Sequence, residues 1–161
     1  MLLEVFLNLW GLPFSPLHPD NNVNYVTDDF GVRLDWYNTV RGGSAKVLAV
    51  QQAFVRKVVE ESLPYRNVLY VINNQYFSCA ADQLSADSLV ADQAAILANR
   101  DSALAWPRYW ARFIKELGNE QGESLLVSTM PHFHPKGSPN AERFQWYVDE
   151  DLFDFVDAGW W

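Results

Sequence analysis

Four short apolar runs, separated by stretches with helical spacing, set the rhythm of this chain. Leu2, Leu3, Val5, Phe6, Leu7 and Leu9 make the first run almost continuous, as in a strand covered on both faces. The pattern predicts a strand over 1–10, interrupted by Glu4 and Asn8. Glu4 reads best as lying at the strand's solvent end; the alternative is a polar barrel interior. Val68 to Ile72 is a second buried-strand run, and it turns polar at once at Asn73-Asn74-Gln75. Ser124–Met130 and Leu152–Val156 complete the set.

Between the runs the period changes to 3.6. From Ser44 to Leu63, Val47, Leu48, Phe54, Val55, Val58 and Val59 recur on one side, with Gln51, Gln52, Arg56, Lys57 and Glu60 elsewhere on the cylinder. Ser44 is the expected N-cap and Pro64 the stop; Arg56 and Lys57 belong to a solvated face. Trp106-Pro107 opens a second helix with Pro107 at its first position, and Gly118 closes it. Trp110, Phe113, Ile114 and Leu117 form its stripe. Ser138-Pro139 caps a third helix to about Val148, with Phe144, Tyr147 and Val148 facing inward. The order βαβαβαβ without hairpin signals predicts an α/β fold, a parallel sheet with right-handed crossovers.

Two segments break the rhythm. Residues 11–43 form a long connection rich in Pro, Asn and aromatics, either a functional loop or a packed surface loop whose Asn residues serve turns. Residues 78–105 are Ala- and Asp-rich with weak periodicity and read as an insertion. The whole is one domain of 161 residues, 49% hydrophobic and 20% charged, hence globular. A net charge of -8 argues against nucleic acid, which needs a basic face. No apolar run reaches the ~20 residues of a membrane span. The first residues lack the basic flank and cleavage site of a signal peptide, which leaves the compartment open. The single cysteine, Cys79, permits no internal disulfide and reads as a small half-buried residue.

The candidate chemistry lies just after the strands: Asn8 and Trp10 after the first, Asn74 and Gln75 after the second, His132 and His134 after the third, Asp157 and Trp160 after the fourth. Amides, imidazoles and Trp faces suit sugar hydroxyls and sugar rings. The aromatic content of 15%, with seven Trp, serves the core and also suits flat ring ligands. His132 and His134 lack the further ligands of a metal site, and Gly42-Gly43 lacks phosphate-loop spacing, so no cofactor or metal is expected. Ser15, Ser44 and Ser128 lack a nucleophile-elbow context.

Three ordered motifs carry a resemblance. They are Ser15-Pro-Leu-His-Pro-Asp-Asn-Asn-Val-Asn24, Leu48-Ala-Val-Gln-Gln-Ala-Phe-Val-Arg-Lys-Val-Val59 and Asn67-Val-Leu-Tyr-Val-Ile-Asn-Asn-Gln75. Together, over residues 14–77, they resemble the cellulase-like TIM-barrel glycoside hydrolases of clan A. The resemblance implies an incomplete TIM barrel with about four strands and three main helices, similar to the family's third to sixth strands. It implies that Asn74 binds the sugar 2-hydroxyl and that Gln75 stands where the family has its acid/base Glu. Trp10, His18, Asn22, His132 and His134 would line the cleft. A retaining glycosidase needs two carboxyls about 5–5.5 Å apart. Gln75 has no proton to give at a useful pKa, and the family's nucleophile strand has no counterpart in these residues. The expectation is therefore a fragment or catalytically impaired relative whose partner is an oligo- or polysaccharide; the alternative is a non-catalytic glycan-binding protein.

An open half-barrel leaves two strand edges able to pair. Light scattering on the isolated chain is expected to show dimers or larger, poorly soluble species. A monodisperse monomer that melts cooperatively would contradict the open-edge argument.

Overall fold

The computed structural model of the chain describes residues 1–6, 40, 45–73, 100–130 and 141–156. Its elements are β1 (Leu2–Phe6), α1 (Ala45–Ser62), β2 (Leu69–Asn73), α2 (Arg100–Glu120), β3 (Leu126–Thr129), α3 (Ala141–Val148) and β4 (Phe155–Val156). The four strands form one sheet in the order β1-β2-β3-β4, and every neighbouring pair is parallel. The α/β class and the parallel sheet with three helices are as the alternating periods predict. The last two strands are shorter than their apolar runs: β3 keeps four residues, Leu152, read as the start of the last strand, lies in a turn, and β4 keeps two residues.

Register assigns the two faces. Leu3, Tyr70 and Val127 lie side by side, and alternate residues of the same strands, Val5 and Ile72, share their face. These side chains enter one core with Val47, Val55 and Val59 of α1 and Leu104, Trp110, Ile114 and Leu117 of α2. The helices thus cover one side of the sheet, as right-handed crossovers that always step the same way require. Glu4 sits mid-strand in register with Val71, not at the end of its strand.

In α1 the buried line is Val47, Gln51, Val55, Val59 and Ser62. Gln51 stands at the middle of that stripe and is fully buried despite its polarity. Phe54, expected inside, is 48% exposed because it lies roughly 80° around the helix from the stripe's centre. The Ser62 hydroxyl turns back to the Val58 carbonyl at 2.6 Å and meets the Tyr70 hydroxyl at 2.8 Å, which fastens the helix end to β2. Arg56 and Lys57 are exposed and paired with Glu120 and Glu61, as a solvated face should be.

The second helix departs most from its sequence signals. Pro107 is not at its start; the helix already runs from Arg100, so residues 100–105 belong to it and not to an insertion. An interior proline withholds the N–H that would serve the carbonyl four residues back. That carbonyl belongs to Ala103, and the buried hydroxyl of Tyr147 on α3 donates to it at 3.3 Å. The other end also moves. Gly118 lies inside the helix, and the stop is Gly122 at φ 75°. The Gly122 N–H bonds the Asn119 carbonyl and the Glu123 N–H bonds the Gly118 carbonyl, a Schellman closure. Gly118 is needed for a different reason: a Cβ there would stand 2.5 Å from Leu125 Cγ and 2.8 Å from the Glu123 carbonyl oxygen.

Four aromatic side chains line this helix. Trp106 and Trp110 are fully buried, edge to face at 6.2 Å, and Tyr109 and Phe113 stack beside them. Gln52 of α1 donates to the Tyr109 hydroxyl at 2.6 Å, which ties the two helices together. Arg108 grips Glu150, in the turn after α3, through Nε at 2.8 Å and also pairs with Asp101 at 2.8 Å. The hydrogen bonds it donates to Glu150 hold the Arg108 guanidinium above the usual arginine range. At the sheet's edge Asp154 accepts from the Val127 N–H at 2.7 Å, donates its own N–H to the Val127 carbonyl at 2.8 Å, and pairs with Lys115 at 2.9 Å. That clasp sets the entry of β4. Trp146 packs partly buried against the core, whereas Val148, expected to face inward, is 48% exposed on the last turn of α3.

Tyr147→Phe should cost about 1–2 kcal/mol by urea melting, because the Ala103 carbonyl loses its donor. The same change should cost less in a Pro107→Ala background, where the helix regains its own N–H. Burial pushes the Tyr147 hydroxyl well above the usual tyrosine range. The unfolded chain therefore ionises first, so this contribution is full below pH ~10 and is lost as pH rises past it. Tyr147→Phe should flatten that alkaline limb. Gly118→Ala should lower stability by about 1–3 kcal/mol in the same melts, since an added Cβ would meet the Glu123 carbonyl oxygen at 2.8 Å, a backbone contact that a side-chain shift does not relieve.

Candidate functional site

Parallel strands that progress one step at a time put all their C-terminal ends on one edge of the sheet. Here the ends also align: Phe6 pairs with Asn73, and Thr129 with Val156. Loops leaving such an edge are where α/β proteins build ligand sites. Asn74 and Gln75 follow directly on β2, His132 and His134 follow Met130 closely, and Trp10 is four residues past β1.

Asn74, Gln75, Trp10, His18, Asn22, His132 and His134 all lie outside the described residues, as do Cys79, Asp157 and Trp160. So do most of the long connection 11–43 and the segment 78–99. What the described residues supply is the floor beneath the strand ends. On the sheet face away from the helices, Val71, Ser128 and Phe155 share one row. Val71 and Ser128 are 1% and 0% exposed, and Phe155 is 45% exposed. The Ser128 hydroxyl is buried and has no hydrogen-bond partner among the described residues. Sequence reasoning set Ser128 aside because no nucleophile turn surrounds it. The alternation of Leu126, Ser128 and Met130 was the available signal, since it places the hydroxyl on the face opposite Val127. A serine there suits hydrogen bonding and not nucleophilic attack: no imidazole or carboxylate partner is seen at its Oγ among the described residues.

No group of three His, Cys, Asp or Glu side chains among the described residues could hold a metal ion. No described helix is long and apolar enough to cross a membrane. A cavity of about 370 Å³ opens at the other end of the sheet, lined by Met1, Leu2, Arg66, Asn67, Val68, Leu69 and Leu126. Its apolar lining and its position at the N-terminal ends of the strands separate it from the candidate residues.

No family model matches the chain, and no curated protein or solved structure matches it.

Ser128→Ala tests the floor. A buried hydroxyl without a partner costs desolvation, so its removal should leave stability unchanged or raise it by about 1 kcal/mol in urea melts. A loss of more than 1 kcal/mol would mean that the hydroxyl is paired in solution.

Proposed function

We propose that this chain is part of a glycoside-hydrolase-like (βα) barrel whose strand-end cleft binds an oligo- or polysaccharide without efficient hydrolysis. One observation carries the reading: four parallel strands in unbroken sequential order, with the helices on one side. A doubly wound sheet reverses its strand order at a switch point, whereas a barrel keeps stepping in one direction. The described strands keep stepping. That supports the barrel-type arrangement implied by the motifs over residues 14–77.

In this reading Asn74 hydrogen-bonds the sugar at the cleavage subsite and Gln75 hydrogen-bonds the glycosidic oxygen. The Gln75 amide matches the shape of a Glu side chain but cannot protonate a leaving group. Trp10 would offer a ring face, and His18, Asn22, His132 and His134 would offer hydrogen bonds along the cleft. Binding survives such a substitution better than turnover does, which favours the non-catalytic form of the reading over an active glycosidase.

Calorimetric titration of the chain with xylan, mannan and β-glucan oligosaccharides should show saturable binding to at least one, with no reducing ends released. Asn74→Ala should weaken that binding about tenfold, the equivalent of one charge-free hydrogen bond at ~1.4 kcal/mol. Flat titrations across the panel would sink the glycan reading. Release of sugar by the unaltered chain would instead show that a carboxylate elsewhere acts as the acid in place of the Gln75 amide.

A further inference from the structure

We draw no further inference here: the strongest candidate, the exposed apolar side chains of Leu2, Leu126 and Phe155 on the sheet face away from the helices, with the cavity beside Met1 and Arg66, carries nothing because nothing in the structure shows what covers it.

Discussion

One hydrogen bond between two helices bridges the break that a proline leaves in the central helix's own ladder. Pro107 sits in the interior of α2 and cannot serve the Ala103 carbonyl. In water that carbonyl would find a solvent partner, but Ala103 is fully buried. Tyr147 reaches across from α3 and donates to it. The same tyrosine ring stacks near Phe153, in the turn that leads to β4. Continuity of α2, docking of α3 and entry to the last strand therefore converge on one buried side chain. α2 in turn lies between the other two helices and carries the Trp106–Trp110 core, so the packing over the sheet depends on it.

The sheet beneath shows a second constraint. Parallel strands have no short connection, so each return crosses over a helix, and each crossover has the same hand. Repeated three times in one direction, this brings every strand end to the same edge. The polar residues that follow the apolar runs thus follow strand ends that sit side by side. Any function built on them draws its geometry from this regularity, while the clasp of Asp154 on Val127 and Lys115 extends it to the short fourth strand.

Some of this was legible from residue order. The change of period from strand-like runs to helical stripes predicted the seven described elements in their order and type. Strand ends and helix ends were less legible. Gly118 and Gly122 are four residues apart, and both are plausible stops; only the fit of Leu125 over Gly118 and the positive φ of Gly122 tell them apart. Phe54 and Gln51 exchanged their expected places, because a stripe's centre is set by which neighbours press on the helix and not by polarity at each position. The residues proposed to touch a ligand were chosen by chemistry and sequence position, and they lie beyond the described strands.

The sequence by itself determined the class of the fold: alternating periods and the lack of hairpin turns leave a parallel α/β arrangement as the consistent solution. It also determined the limits of the chemistry at position 75, because an amide holds no acidic proton in any surroundings. Only the tertiary structure decided where α2 begins, which side chains fill the core, and that a hydroxyl, Ser128, lies buried under the strand ends. Those depend on contacts between residues far apart in the chain. A proline's missing donor is replaced here by a tyrosine 40 positions later, folded against the carbonyl it leaves behind.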